Sequence, residues 1–354
     1  MTTFRFLFLH SNPSAVLPQF PSYAFAESMQ TVLQQEFLAW KARLPDARGP
    51  PPPPGIICFT PTPTYTLGRR QTQPLSHSEV ASLRSPLFLS APGASARWPG
   101  SSLNSNSNGI RDTLPADSKR KTAYFLPTIA NAPRGGLTTY HGPGQLVIWP
   151  VIDLHSPLHA HFSVRDYACL LEQTTIAALD RQYGLKGFTT DNPGVWIRSE
   201  NEPGPAEVSE RKIAALGVHL RRHVTSLGVA INYSTPVTGP PETNPWGRIV
   251  ACGIGDRRVT SVRAELGSSA AAAAAAAAEE AEAGDPDPDH TNQELGKLAA
   301  TWRAEFFERL KLHEGAESML KGYDTIQSIR DLGAHIKGRD DFLVKASPIS
   351  NLET

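Results

Sequence analysis

The chain has 354 residues, of which 40% are hydrophobic, and its 34 Lys and Arg balance 34 Asp and Glu. This hydrophobic fraction is enough to build a core, whereas zero net charge argues against a protein that binds nucleic acid through bulk electrostatics. No apolar run approaches the roughly 18–20 residues that a membrane-spanning helix needs. The three cysteines, Cys58, Cys169 and Cys252, are far apart and form no CxxC pair. This spacing excludes a disulfide framework and a zinc-finger type of site, and it fits a reducing compartment.

Proline is the unusual residue of this composition, with 31 in the chain. The run Pro50–Pro54 predicts a stiff extended connector. Three polar segments without apolar periodicity predict disordered inserts: residues 84–122, residues 201–209 and residues 268–290, the last with an alanine tract and an acidic stretch. Surface loops of this kind cost little closure entropy however long they are. The proline excess therefore indicates an ordinary domain that carries a connector and inserts.

Apolar spacing predicts strands and helices between these inserts. In chain order we predict strands at residues 4–9, 55–59 and 65–68, 145–150, 194–198, 213–218 and 229–233, and helices at residues 24–43, 164–178 and 295–310. Strands in runs with a few helices predict one α+β domain over residues 1–325 rather than a regular βαβ array. Residues 326–354 lack strong periodicity and form an unassigned tail.

The densest chemical signal is the segment RGGLTTYHGPGQL, which runs from Arg134 to Leu146. Its glycines let the backbone approach a ligand closely, while Arg134 and His141 supply polar groups. For a glycine-rich loop taken alone, a tight turn with a structural histidine is the more common explanation.

Two later segments add a lysine and a cysteine. Lys212 begins the apolar run KIAALGV, and Cys252 follows another short apolar run. Taken alone, such a lysine is usually an exposed strand end and such a cysteine a small buried hydrophobe. Cys58 and Cys169 fit that structural interpretation, whereas Gly253 and Gly255 flank Cys252 in a predicted turn where a thiol can face a cleft.

Together these segments resemble the signature set of the lipoyl(octanoyl) transferases. The motif RGGLTTYHGPGQL is followed in the family's order by KIAALGV and ACGI, and the match covers roughly residues 3–80 and 123–265. The resemblance implies the biotin/lipoate protein ligase-like fold, an α+β domain in which helices flank a mixed sheet. It also implies an acyltransferase that acts in protein lipoylation and needs no metal and no cofactor.

The implied reaction has two steps. An octanoyl group passes from acyl-carrier protein to an enzyme cysteine, and then to a lysine of a lipoate-dependent enzyme. A thiol is a good nucleophile toward a thioester, and a neighbouring cation raises its thiolate fraction. The resemblance implies Cys252 as nucleophile and Lys212 as the cation and later general base. His141 is the third catalytic candidate, which orients the thioester carbonyl or helps proton transfer, with a structural role as the alternative.

The resemblance also implies three blocks that bind the acyl chain. They are Arg134, Gly135, Gly136, Leu137, Thr138, Thr139, Tyr140 and His141; Ala215, Leu216 and Gly217; and Gly228, Val229 and Ala230. Two positions depart from the family pattern. Ala251 stands where the family usually has proline, and Leu227 where it often has histidine, so that His223 is the substitute candidate.

The implied partners are octanoyl-acyl-carrier protein as donor, and lipoyl domains of 2-oxoacid dehydrogenase complexes or the glycine-cleavage H protein as acceptors. No nucleic acid and no membrane span are expected. The family link favours the mitochondrion, although residues 3–9 already form a predicted strand and leave little room for a presequence. Two other functions stay open: an ATP-dependent lipoate or biotin ligase on the same fold, and a non-catalytic module that binds acyl-carrier protein or acyl chains.

Overall fold

The computed structural model describes residues 4–9, 19–90, 122–198, 210–250, 258–267, 288–313 and 343–345. A seven-stranded mixed sheet forms the centre, with the strand order β1-β3-β9-β12-β11-β10 and with β13 paired to β11. These strands are β1 (Arg5–Leu9), β3 (Gly55–Phe59), β9 (Gln145–Val151), β10 (Gly194–Arg198), β11 (Glu210–Arg221), β12 (Val224–Asn232) and β13 (Arg258–Val259). The β1–β3 and β11–β13 pairs are parallel, and the other pairs are antiparallel.

Helices cover both faces of this sheet. Helix α1 (Tyr23–Ala42) packs Met29, Leu33 and Phe37 on one face. Helices α3 (Val164–Tyr183) and α4 (Pro288–Leu310) pack together on the other face, where the Trp302 indole donates to Thr175 Oγ1 at 2.9 Å. The faces are called the α1 face and the α3 face below. Because side chains alternate along a strand, β3, β9 and β12 each supply both cores.

Local signals define the ends of these helices. Ser22 caps α1 by accepting a hydrogen bond from the Phe25 amide. Ser163 and Asp166 form a capping box at the start of α3, which ends at Gly184 in the left-handed conformation. Such caps satisfy amide groups that have no partner inside the helix.

Smaller sheets and one short helix surround the central sheet. Strand β4 (Thr64–Leu67) lies between β7 (Thr128–Asn131) and β8 (Thr139–His141). The pairs β5–β6 (Leu87–Ser90 with Thr122–Phe125) and β2–β14 (Gln19–Pro21 with Leu343–Lys345) are separate, and α2 spans His77–Arg84. Strand β8 brings the glycine-rich segment to the edge of the α1 face.

The predicted α+β class is confirmed, and so are all ten predicted strands and helices, with ends shifted by a few residues. Two insert boundaries are wrong. Residues 84–90 form the end of α2 and β5, because Leu87 and Leu89 alternate into a buried cluster. Helix α4 begins at Pro288, before the predicted end of the third insert. The insert at residues 201–209 lies outside the described residues.

No helix in the described part of the chain is long and apolar enough to cross a membrane.

Two glycines give a paired test of the sheet. A Cβ at Gly228 would lie 2.3 Å from the Ile148 carbonyl oxygen, whereas one at Gly296 in α4 would meet nothing within 4 Å. We expect Gly228→Ala to lower the free energy of unfolding by more than about 2 kcal/mol, because backbone atoms cannot move aside cheaply. Gly296→Ala should raise it by up to about 1 kcal/mol, because alanine has the better helix propensity. Urea unfolding measures both, and equal effects would contradict the strand packing.

Candidate active site

A pocket opens on the α1 face of the central sheet. The strand register pairs Ala215 with Ala230 and Gly217 with Gly228, so four small residues lie side by side on β11 and β12. Taller side chains surround them: Tyr23, Arg134, Thr139, His141, Val147, Trp149 and Leu227. The result is a narrow trough with a mostly apolar lining.

A β-bulge places Lys212 on the same sheet face as the trough, three residues before Ala215, although Lys212 does not line the trough itself. Val195 pairs with Ala214 but Trp196 pairs with Lys212, so Ile213 is an extra residue in β11. Ile213 and Ala214 both belong to the core on the α3 face. The extra residue therefore turns Lys212 onto the α1 face, whereas regular alternation from Ala215 would point it to the α3 face.

The ammonium group of Lys212 has a well-defined environment. Its Nζ donates to the Pro193 carbonyl oxygen at 3.0 Å and lies 4.7 Å from the centroid of the Trp196 ring. Only 6% of the Lys212 residue is exposed. A cation over an indole face is attracted by the ring quadrupole, so both contacts hold Lys212 Nζ in place.

His141 is the last residue of β8 and is buried beside the trough. Its ring stacks on Tyr23 with centroids 5.5 Å apart, and its Nδ1 lies 2.8 Å from Gln145 Oε1. Burial, together with the nearby Arg134 guanidinium, lowers the pKa of His141 to about 4, although the Gln145 hydrogen bond opposes this shift. The imidazole is therefore neutral near pH 7.

Arg134 holds the glycine-rich segment against β4. Its guanidinium donates to the carbonyl oxygens of Gly135, Leu137 and Thr66, and also to Thr66 Oγ1. Its aliphatic part lies over Gly217, where a Cβ would come within 2.6 Å of Arg134 Cδ. Arg134 thus organises the loop through its charged end and covers the trough with its methylenes.

Leu227 has a left-handed backbone conformation inside β12, with φ +60°. Few leucines adopt this conformation, because the Cβ crowds the backbone. The Gln30 side chain of α1 accepts a hydrogen bond from the Leu227 amide at 2.6 Å and stabilises it. Leu227 pairs with Val218, the residue after Gly217 on β11, and so closes the trough at the end away from Ala215.

The cysteines have different positions. Cys58 is buried in β3, where burial raises the pKa of its thiol, and Cys169 is exposed on α3. Cys252 lies outside the described residues. In the described ranges, no group of three or more His, Cys, Asp and Glu residues is arranged to hold a metal ion.

Comparison with known proteins relates this site to a family. Residues 128–282 match the lipoyl protein ligase A/B catalytic domain. A Schizosaccharomyces pombe protein named "Probable octanoyltransferase" is 32% identical over 243 residues, which are 68% of this chain and 80% of that protein. The chain belongs to the octanoyltransferase family. The family resemblance predicted from the Arg134–Leu146 motif is thereby confirmed.

Other relatives are matched over a smaller part of their length. The mitochondrial octanoyl-[acyl-carrier-protein]:protein N-octanoyltransferase of Xenopus tropicalis is 42% identical over 157 residues, which are 44% of this chain and 57% of that protein. A solved bipartite lipoate protein ligase from Thermoplasma acidophilum is 13% identical, with a TM-score of 0.44 and coverage of 99% of this chain and 100% of that one.

The family's three predicted binding blocks come together only in part. The residues that line the trough are Arg134, Thr139, His141, Ala215, Leu216, Gly217, Gly228, Val229 and Ala230. Gly135, Gly136, Leu137, Thr138 and Tyr140 do not line it; the first four hold the loop, and Tyr140 packs against Tyr65 and Trp246. His223 lies outside the trough, in the β11–β12 turn, where it stacks on His155 with centroids 3.8 Å apart.

Several site residues are absent from the sequence prediction. Tyr23, Val147 and Trp149 line the trough, and nothing in their spacing distinguishes them from core residues. Gln145 contacts His141 from within the apolar strand β9. The sequence does indicate Gln145, because a side-chain amide at the start of an otherwise apolar strand needs a specific hydrogen-bond partner when it is buried.

The low pKa of His141 predicts a pH-dependent stability. The unfolded chain binds a proton at this histidine below about pH 6.5, but the folded protein does so only below about pH 4. The free energy of unfolding should therefore fall as the pH falls through this window, by about 2 kcal/mol at pH 5. We expect His141→Gln to lose this component and to show a flatter dependence in denaturant titrations at pH 7 and pH 5.

The exposed His77 of α2 supplies the control, since His77→Gln should keep the wild-type pH dependence. An equal slope for His141→Gln and wild type would contradict the low pKa.

Proposed function

We propose that this octanoyltransferase moves an octanoyl group from acyl-carrier protein to a lysine of a lipoate-dependent protein, through a thioester on Cys252. The observation that carries the proposal is the trough of small residues on the same sheet face as the buried Lys212. An apolar chain of modest width fits such a trough, and the lysine supplies a charge where acyl transfer needs one. The family relationship supports the same reaction.

Cys252 is proposed as the nucleophile from its place in the chain. The described residues on either side contact elements that carry site residues: Trp246 packs on Tyr140 of β8, and Val259 pairs with Lys212 of β11. Neither described cysteine suits the role, because Cys58 is fully buried and Cys169 lies on α3 at the opposite face. Cys252 precedes the strand beside Lys212 by six residues.

In the first step, the Cys252 thiolate attacks the thioester carbonyl of octanoyl-acyl-carrier protein. The bond from the carbonyl carbon to the carrier sulfur breaks, and a bond to Cys252 Sγ forms. A charged Lys212 favours the attacking thiolate and gives its proton to the departing thiolate. The octanoyl chain then lies along Ala215, Gly217, Gly228 and Ala230, with Leu227 at its far end.

In the second step, the ε-amine of the acceptor lysine attacks the Cys252 thioester. Lys212, neutral after the first step, takes a proton from the attacking nitrogen. The carbon–sulfur bond breaks, so an amide forms on the acceptor and the thiolate–ammonium pair is restored. No external co-reactant is needed, because the thioester supplies the driving force.

The proposed partners are octanoyl-acyl-carrier protein as donor, and lipoyl domains of 2-oxoacid dehydrogenase complexes or the glycine-cleavage H protein as acceptors. Exposed Arg69 and Arg70 follow β4 beside the Arg134 loop, to which their amides donate. Such partners are typically acidic, and arginines at the rim of the site would speed their encounter.

We also place the protein in the mitochondrion, because the Xenopus tropicalis and Danio rerio relatives are named mitochondrial. Protease protection of the radiolabelled chain after incubation with isolated mitochondria tests this placement. A chain that stays fully accessible to protease would contradict it.

The acyl-enzyme is the first test of the reaction. We expect incubation with octanoyl-acyl-carrier protein, without ATP, to add one octanoyl mass that hydroxylamine removes and that maps to Cys252. Cys252→Ser should lose the labile adduct, while Cys169→Ser should keep it. Octanoylation only from free octanoate and ATP, unaffected by Cys252→Ser, would instead indicate a ligase. If neither an adduct nor transfer is detected, the protein would be a non-catalytic module that binds acyl-carrier protein or acyl chains.

The role of Lys212 has its own test. We expect Lys212→Ala to shift the pH midpoint of iodoacetamide alkylation at Cys252 upward, because the cation that favours the thiolate is gone. Lys186→Ala is the matched control, since this exposed lysine pairs with Asp180 on the far side of the sheet. An unmoved midpoint in Lys212→Ala would refute the assigned role.

A further inference from the structure

A continuous chain of hydrogen bonds joins His141 to the backbone of Lys212. His141 Nδ1 lies 2.8 Å from Gln145 Oε1, and Gln145 Nε2 lies 2.9 Å from Asn232 Oδ1. Asn232 Nδ2 donates to the Thr260 carbonyl at 3.0 Å, and the Thr260 amide donates to the Lys212 carbonyl at 2.9 Å. All five residues are buried. The chain crosses from β8 to β11 through β9, β12 and the end of β13.

The Thr260 carbonyl at one end of this hydrogen-bond chain determines which atom donates in each of its side-chain hydrogen bonds. A backbone carbonyl only accepts, so Asn232 must present its amide nitrogen to Thr260 and its oxygen to Gln145. Gln145 Nε2 also donates to the Tyr140 carbonyl at 3.3 Å, which requires the same orientation. Gln145 Oε1 is then left facing His141 Nδ1. Because this oxygen only accepts, Nδ1 carries the proton.

The other ring nitrogen, Nε2, is consequently an acceptor. The neutral ring that follows from burial and from the neighbouring Arg134 leaves its lone pair available. Tyr23, stacked on the ring, is kept neutral by its own burial, which raises the pKa of its hydroxyl. An unprotonated Nε2 cannot donate to a thioester carbonyl, so the first of the two roles predicted for His141 does not fit this tautomer.

We propose that Gln145 and Asn232 are positioning residues that hold His141 as the Nδ1–H tautomer, so that Nε2 accepts a hydrogen bond from the acceptor lysine's amine during its attack. The inference rests on the proposed acyl transfer. At the reacting centre the thioester offers only acceptor atoms, whereas the amine offers N–H groups. A bond from one N–H to Nε2 orients the nitrogen lone pair toward the carbonyl carbon.

The tautomer is measured directly on the free protein. In a histidine-labelled sample, the His141 ring signals, assigned by their loss in His141→Gln, should show a proton on Nδ1 in wild type. Gln145→Met removes the acceptor at nearly the same size, and should shift His141 toward the Nε2–H form. Thr60→Val is the matched control, because Thr60 donates to the backbone carbonyl of Gln145 and not to its side chain. A wild-type His141 with the proton on Nε2 would overturn the proposal.

Single-turnover rates test the function of the tautomer. Starting from preformed octanoyl-enzyme, Gln145→Met should slow transfer to an acceptor lipoyl domain at least tenfold, while acylation of Cys252 changes less than threefold. Thr60→Val should change neither rate. An unslowed transfer in Gln145→Met overturns the inference. Failure to form any octanoyl-enzyme in wild type is a different result, which refutes the proposed function and leaves the tautomer measurement intact.

Gln145→Glu tests the same point if Gln145→Met does not fold. A carboxylate still accepts the Nδ1 proton, so the tautomer should be kept, although its second oxygen no longer donates to Asn232 Oδ1. The negative charge also favours the imidazolium and so raises the pKa of His141. As the pH is lowered, the transfer rate of Gln145→Glu should therefore begin to fall at a higher pH than that of wild type. An unchanged pH profile would show that His141 does not act in the second step.

Discussion

The single extra residue in β11 determines whether this sheet carries a reactive group. Ile213 has no partner in β10, and its insertion directs Lys212 and Ala215 to the same face although they are three residues apart. Without it, Lys212 would point into the apolar core beneath α3, where an unpaired ammonium is costly. With it, the lysine stands beside Trp196, on the sheet face that carries the trough of small residues. Bulges commonly re-aim a side chain next to an active site.

The rest of the site is built from contacts that keep this geometry rigid. The Arg134 guanidinium donates to carbonyl oxygens of the loop and of β4, and the Arg134 methylene groups cover Gly217. The amides of Gln145 and Asn232 link the strands that carry His141 and Lys212, and their bonds satisfy one another. A buried polar network that is satisfied throughout is rigid, because each alternative orientation leaves a buried group without a partner.

Much of the fold followed from sequence, because its cores depend on apolar periodicity. The ten predicted elements form, and Arg134, Thr139 and His141 of the Arg134–Leu146 motif line the trough. The short helix α2 was missed because its sequence is mostly polar and only Leu83 is buried. Strand β5 is not predicted, because polar residues follow Leu87 and Leu89 in the sequence. Two alternating apolar residues nevertheless suffice for a short strand that pairs with β6.

The site was predictable only where a motif marked it. Lys212 was named, but nothing local shows that Ile213 is a bulge, since its partner strand lies some 15 residues away. Tyr23 and Trp149 resemble ordinary core residues and become trough walls only when α1 packs across the sheet. Leu227 was noted as a departure from the family, but its left-handed backbone depends on Gln30 from α1, nearly 200 residues earlier. Long-range packing of this kind leaves no periodic signal.

The central claim is that the acyl chain lies in the small-residue trough, with its reactive end at the Ala215–Ala230 pair and its methyl end near Leu227. Octanoyl-acyl-carrier protein with a photoreactive diazirine on the last carbons of the chain tests this most directly. After acylation and irradiation, peptide mapping should place the cross-link on Trp149 or Leu227. A cross-link to the α3 face, or one at Tyr183 or Tyr233, would contradict the account.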